Sequence, residues 1–271
     1  MTIVTVLAAR GIGEPLVENM LSHVTQHLPA DRFNVIEIPY PAEYGPVPGL
    51  AGKSFNASLA ELRRLVLWEI VKAPGRVVLL GYSAGAAGMG DIAAEIALGL
   101  HMDVTREMGW PAFQAQPIAG KIAGVGLVAD PRMPTGLDPL GRPMWGIAGS
   151  RVIPADYPVW WVADPADPIP CLEVDSPLRT VADQTDAMSF TDPVAWGLSL
   201  FARLQFGQWQ AVAIRWWDRE SVIRQYSAAF AALQRYIGKD HVSYSERKPA
   251  GDVLTYCERL AENIIERLGS A

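Results

Sequence analysis

The amino-acid sequence predicts an α/β protein with a mainly parallel sheet. Short apolar runs alternate with segments of helical periodicity over residues 3–162, the pattern of repeated strand–helix–strand units. A G-x-S-x-G pentapeptide at residues 81–85 joins one apolar run to a small-residue segment that is typical of a helix. Half of the 271 residues are apolar and 19% are charged, which suits one α/β domain with a buried sheet.

The order of the elements follows from these runs. Five apolar segments predict strands at residues 3–8, 33–38, 77–80, 122–128 and 159–162. Segments with helical spacing or many small residues predict helices at residues 15–26, 57–71, 84–98, 194–204, 221–237 and 251–268. Residues 41–52 contain three prolines and three glycines, so we expect a loop there.

The pattern changes after residue 167. Residues 172–240 contain no convincing strand and are rich in large aromatic side chains, which include Trp196, Phe201, Phe206, Trp209, Trp216 and Trp217. We expect a single domain over residues 1–271 that is interrupted by a helical insertion at 172–240. The aromatic residues of this insertion are consistent with ordinary core or with a lid or wall that faces an acyl chain.

Composition argues against several classes of function. The net charge of −6 does not favour a nucleic-acid surface, and no apolar run reaches the roughly 18 residues of a membrane span. No ligand cluster predicts a metal, and the glycine patterns that resemble nucleotide-binding loops are incomplete, so we expect no cofactor. Cys171 and Cys257 are predicted to be reduced thiols, and the start of the sequence does not read as a signal peptide.

Ser83 is the candidate nucleophile. In the strand–turn–helix setting of G-x-S-x-G, the serine sits at the apex of a strained turn, and Gly81 and Gly85 leave room where strand and helix approach each other. A serine hydroxyl is a weak nucleophile, so this interpretation requires a histidine base.

Elimination among the four histidines favours His241 as that base. His23 and His27 fall in the first predicted helix, and His101 follows the end of the helix that Ser83 begins, roughly 25 Å along its axis. His241 lies in a polar loop before the last helix, where the chain order Ser, Asp, His places the base.

The acid of the triad is expected on a loop after a late strand. Asp164 and Asp167 both follow the fifth predicted strand, and we favour Asp167 because it heads a D-P-I-P turn at the loop tip. Asp164 remains an alternative, and Asp130 after the fourth strand is a more distant one.

The oxyanion hole is expected to use two backbone amides. One is that of Ala84, the residue after the nucleophile, and the other is that of Ile12, between two glycines after the first strand. Arg10 and Glu14 of the same loop are candidates for an ion pair that braces it, and two independent solvated charges are an equal alternative.

Several motifs in this order carry a family resemblance. The segments AARGIGEP, PYPAEY, GYSAG, ADPADPIPC and HVSY resemble the cutinase-like serine esterases of the α/β-hydrolase fold. The chain differs from secreted cutinases in lacking a signal peptide and their paired disulfides, and in carrying the helical insertion. With these three differences, the chain resembles the lysin B endolysins of mycobacteriophages and related actinobacterial phages.

The resemblance implies hydrolysis of the ester between mycolic acids and arabinogalactan, with Ser83 as nucleophile, His241 as base and Asp167 as acid. It implies synthesis in the host cytoplasm, release through holin lesions and no obligate protein partner. Two alternatives stay open: a cellular cutinase-like lipase or polyesterase, and a catalytically silent binding protein with a hydrolase fold.

Overall fold

A five-stranded parallel sheet forms the centre of the molecule in a computed structural model, which describes residues 3–47, 49, 51–100, 118–188, 193–207, 209–210, 212 and 214–268. The strands are β1 (Val4–Ala9), β2 (Phe33–Glu37), β3 (Val77–Tyr82), β4 (Ile122–Val128) and β5 (Val159–Val162). Their order across the sheet is β2-β1-β3-β4-β5, and every pair is parallel. The predicted α/β class and its mainly parallel sheet are confirmed.

Helices cover both faces of the sheet. They are α1 (Ser22–Thr25), α2 (Phe55–Lys72), α3 (Ala84–Ala97), α4 (Leu178–Thr185), α5 (Pro193–Phe206), α6 (Arg219–Ile237) and α7 (Tyr256–Leu268). Alternate residues of β3 point to opposite sides, so Val78 and Leu80 pack with the α7 side while Val77 and Leu79 pack with the α2 and α3 side. Fully buried strands explain why these runs are continuously apolar.

The first predicted helix is wrong over most of its length, because only Ser22–Thr25 of residues 15–26 is helical. Side chains take the backbone groups that a helix would pair. The Glu14 carboxylate accepts a hydrogen bond from the Met20 amide at 2.9 Å, and the Asn19 side chain accepts one from the Leu21 amide at 2.9 Å.

The last helix begins at Tyr256 and not at residue 251. Thr255 and Glu258 form a reciprocal capping box, in which the Thr255 amide donates to the Glu258 carboxylate at 2.7 Å and the Glu258 amide donates to the Thr255 hydroxyl at 3.2 Å. This T-x-x-E signature was available in the sequence.

The insertion contains a helix that the periodicity did not predict, α4. Its buried side carries Arg179, whose guanidinium donates to the carbonyls of Gly146 (2.7 Å) and Leu172 (2.7 Å) and lies 4.3 Å from the Trp145 ring centroid. Burial lowers the pKa of Arg179 to about 10, so it stays charged near neutral pH. The helix has only eight residues, so its large apolar side chains, Leu178 and Val181, are too few to give a clear helical period in the sequence.

Cys171 and Cys257 are buried free thiols. Burial raises the pKa of Cys257 to about 12, which disfavours the reactive thiolate. Within the described ranges, no helix combines the length and apolarity needed to cross a membrane.

Candidate active site

Ser83 occupies the turn between β3 and α3. Its backbone has φ +54° and ψ −116°, a conformation that costs of the order of 1–3 kcal/mol for a residue with a side chain. A Cβ at Gly85 would lie 1.9 Å from the Ala9 carbonyl oxygen, and one at Gly81 would lie 2.6 Å from the Ala86 backbone. Both glycines are therefore required by close backbone packing around the serine.

The structure brings together the three side chains proposed for a triad. His241 lies in a short 3-10 turn, Asp240–Val242, with its Nε2 2.8 Å from Ser83 Oγ and its Nδ1 2.8 Å from Asp167 Oδ2. An ionised carboxylate can only accept a hydrogen bond, so Nδ1 carries the proton. The lone pair of Nε2 then faces the Ser83 hydroxyl, as a general base requires.

Asp167 is fully buried and receives two further hydrogen bonds. The Ile169 amide donates to its Oδ1 at 2.9 Å, and the Tyr244 hydroxyl donates to its Oδ2 at 2.8 Å. Burial and the adjacent Asp167 raise the pKa of Tyr244 well above its ordinary value, so the phenol remains a donor. These donors hold the carboxylate in the orientation that His241 needs.

The other two candidate aspartates have different partners. Asp164 accepts hydrogen bonds from the Ala166 amide at 2.9 Å and from the Arg247 guanidinium at 3.1 Å. Asp130 forms a buried ion pair with Arg151. Both carboxylates brace loops beside the site and do not contact His241.

Two tyrosine rings lie against the His241 imidazole. The Tyr82 ring centroid is 5.3 Å from that of His241 at an interplanar angle of 24°, and its hydroxyl donates to the His241 carbonyl at 2.7 Å. The Tyr236 ring, from α6, lies 5.4 Å from the imidazole. The insertion therefore contributes directly to the position of the histidine.

The loop after β1 is held rigidly beside Ser83. Arg10 donates to the carbonyls of Glu14 and Tyr40, each at 2.8 Å, and the Glu14 carboxylate accepts from the Gly11 amide at 2.6 Å. Arg10 thus contacts Glu14 through its backbone, and the expected ion pair between their side chains is wrong. Both residues still brace the loop.

Ile12 and Ala84, the proposed oxyanion donors, line one cavity together with Ser83 and His241. No described residue accepts a hydrogen bond from the Ile12 or Ala84 amide. Each amide is therefore available to an oxygen atom in the cavity.

Of the other histidines, His23 and His27 have no part in this arrangement. His23 lies in α1, and the exposed His27 contacts the Gln26 side chain at 3.3 Å. His101 lies outside the described residues. Nowhere in the described part of the chain do three or more His, Cys, Asp or Glu side chains group as a metal site would require.

The cavity beside Ser83 has a volume of about 580 Å³, within the range of small-molecule sites. Its apolar lining includes Ile12, Phe55, Ile147, Ile169, Leu178 and Val181. The insertion supplies part of this wall through α4, Trp209 and Tyr236. Some aromatic residues of the insertion therefore form part of the cavity wall. The Trp196 side chain lies outside what the structure describes.

Sequence reasoning missed the functional role of three tyrosines. Tyr82 precedes the nucleophile, Tyr244 follows the base by three residues, and Tyr236 ends α6. Tyr82 and Tyr244 stand within the quoted GYSAG and HVSY motifs, so their positions were visible although their contacts were not.

Comparison with known proteins identifies the fold. Lysin B from Mycobacteriophage D29 aligns over 97% of this chain and 97% of its own length, with 14% identity and a TM-score of 0.52. The catalytic core domain of acetyl xylan esterase from Trichoderma reesei aligns over 83% of this chain and 98% of its own, with 18% identity and a TM-score of 0.41. No family model and no curated protein matches the sequence. The predicted α/β-hydrolase fold is confirmed.

Proposed function

We propose that this chain is a serine esterase that hydrolyses lipid esters with Ser83, His241 and Asp167 as its catalytic residues. The observation that carries the proposal is the unbroken hydrogen-bonded chain from Ser83 Oγ through His241 to Asp167, beside an apolar cavity. A carboxylate, an imidazole and a hydroxyl linked in this order form the arrangement that activates a serine for acyl transfer.

The reaction has two steps. His241 Nε2 takes the Ser83 proton as Oγ bonds to the ester carbonyl carbon, and the Ile12 and Ala84 amides donate to the oxyanion. The imidazolium returns that proton to the departing alcohol. Water, deprotonated by His241, then attacks the acyl-enzyme, and the carboxylic acid leaves as Ser83 is regenerated.

The substrate we propose is the mycolic acid–arabinogalactan ester of the actinobacterial envelope, cleaved during phage lysis. The motif resemblance supports it, as does the likeness in fold to D29 lysin B over nearly the whole chain. The apolar cavity suits the acyl part of such a substrate. A cellular lipase or polyesterase would use the same residues, so the substrate must be tested separately.

The Ser83→Ala variant tests the catalytic assignment. We expect hydrolysis of p-nitrophenyl butyrate to fall by at least about 10⁴-fold, because the nucleophile is lost. Labelling by a fluorophosphonate probe should disappear as well. Ser227→Ala, at an exposed serine of α6, is the matched control and should keep both activities. Equal activity in the two variants would refute the assignment of Ser83 as nucleophile. A wild-type protein that neither hydrolyses the ester nor reacts with the probe would instead favour a silent binding protein.

Purified mycolylarabinogalactan tests the substrate. We expect the wild-type protein to release free mycolic acid from it and the Ser83→Ala variant to release none. Strong hydrolysis of tributyrin without any release of mycolic acid would instead favour the cellular lipase or polyesterase.

A further inference from the structure

Helix α6 carries an apolar stripe that is open to solvent. Ile223, Tyr226, Phe230, Leu233 and Ile237 recur at intervals of three or four residues and therefore share one side of the helix. Their exposure ranges from 43% at Leu233 to 72% at Ile237. Single exposed apolar residues are ordinary, but five along one helix are not.

The packing of α6 does not explain this stripe. The buried residues of the helix are Gln225, Ala229 and Ala232, which lie on a different side and are small or polar. The helix thus rests on the body of the protein through a narrow contact. Its largest apolar side chains face outward.

The stripe is continuous with the candidate active site. Tyr236, on the flank of the same helix, lines the cavity and lies 5.4 Å from the His241 ring. Val47 and Val181 also line the cavity while remaining about half exposed. The helix that bears the stripe therefore also forms part of the cavity wall.

The other end of the stripe carries two exposed tryptophans. The Trp216 ring lies 6.3 Å from that of Tyr226, and Trp217 is 84% exposed. Tryptophan and tyrosine favour the boundary between water and lipid, because their rings have an apolar body and a polar edge.

The charge of α6 differs from that of the whole chain. The chain has 29 acidic residues and a net charge of −6, yet α6, residues 219–237, contains three basic residues and one acidic residue, Glu220. Arg224 and Arg235 pair with Asp175 and Glu173 on the neighbouring segment, which neutralises those two carboxylates. The helix therefore carries little negative charge that anionic headgroups would repel.

We infer that the α6 stripe docks the protein on a lipid surface, with the helix lying in the interface and the cavity mouth facing the lipid. An amphipathic helix with aromatic and aliphatic residues on one side and few acidic residues is the element that binds in this way. The inference rests on the proposed function, because docking brings insoluble esters to Ser83.

Vesicle sedimentation tests the inference independently of catalysis. The Ser83→Ala protein is mixed with vesicles of equal parts phosphatidylglycerol and phosphatidylcholine, with and without Ile223→Gln, Phe230→Gln and Ile237→Gln. We expect the triple substitution to lower vesicle binding by at least about tenfold, because three exposed apolar side chains are lost. Glutamine preserves helix propensity, and far-UV circular dichroism checks the fold.

A matched control removes three exposed aliphatic side chains elsewhere, by Leu140→Gln, Val152→Gln and Val253→Gln. It should bind vesicles as the parent does. On the Ser83 background, the stripe triple should hydrolyse soluble p-nitrophenyl butyrate normally but act at least about tenfold more slowly on aggregated long-chain esters.

Equal vesicle binding by the stripe triple and the control would overturn the inference while leaving the esterase proposal intact. A wild-type dimer that does not bind vesicles, and that the stripe triple converts to a monomer in light scattering, would also overturn it, since the stripe would then hold a second copy. Loss of esterase activity in Ser83→Ala without loss of vesicle binding keeps the two proposals separate.

Discussion

Two regions of the molecule differ in how their side chains are surrounded: the carboxyl edge of the sheet and the helical insertion. At the sheet edge, Ser83, Asp167 and His241 are held by short hydrogen bonds and by backbone that approaches too closely for a side chain at Gly85. In the insertion, α6 leaves its largest apolar residues in solvent. The first region is specified by internal contacts, whereas the second presents a surface that the rest of the described chain does not cover.

This difference indicates where each kind of substitution acts. Changes at the sheet edge remove contacts that are already made within the protein, so they should affect catalysis or stability directly. Changes on the outer side of α6 remove little internal packing, because these side chains are largely exposed, so they should act mainly through whatever the helix binds.

After Ser83→Ala, the largest effect is expected from the acid at the sheet edge. Asp167→Asn should reduce kcat by about 10³- to 10⁴-fold, because an amide cannot hold the imidazole in the required tautomer. Asp164→Asn is the matched control, since Asp164 lies on the same loop but bonds Arg247. It should stay within a few-fold of the wild type, as measured with p-nitrophenyl butyrate. The reverse order would exchange the roles of the two aspartates.

The next effect concerns stability and separates the two regions. Leu260 lies on the buried side of α7. The Leu260→Ala substitution should lower the free energy of unfolding by about 2–5 kcal/mol, because it leaves a cavity in the core. Phe230→Ala on α6 removes a larger side chain that is mostly exposed. It should change that free energy by no more than about 0.5 kcal/mol in urea unfolding. A comparable loss in both variants would show that the α6 stripe is packed.

A smaller effect is expected at Tyr244. Tyr244→Phe removes one donor to Asp167 and should lower kcat by about tenfold. The measurement is kcat for the hydrolysis of p-nitrophenyl butyrate.

Tyr256→Phe, at the ring that packs against Tyr244, is the matched control for that variant. It should leave kcat unchanged. A Tyr244→Phe variant with lower stability but an unaltered kcat would show that this hydroxyl serves folding and not the orientation of Asp167.

Local sequence was sufficient for the sheet and for the turn at Ser83. The predicted ranges of β4 and β5 agree with the structure, because fully apolar runs bounded by glycine or proline have few other solutions. The role of the glycines around Ser83 could also be predicted, because a tight strand-to-helix turn has no room for side chains at those positions.

Local pattern failed where side chains replace backbone partners. Residues 15–21 looked helical, but Glu14 and Asn19 bind the amides that a helix would use. Helix α4 was not predicted because it is only eight residues long and its buried Arg179 bonds the carbonyls of Gly146 and Leu172, which lie outside the helix. Such contacts leave no signal in the apolar pattern.

The sequence by itself determined the parallel sheet, the strained turn at Ser83 and a short set of partner residues, because these depend on neighbouring residues and on chain order. Only the tertiary structure decided that Asp167, and not Asp164, contacts His241, and that Tyr244 completes the shell of that carboxylate. It alone decided which side of α6 faces solvent. These outcomes depend on hydrogen bonds and packing between residues more than 70 positions apart, whose spacing leaves no periodic signal in the chain.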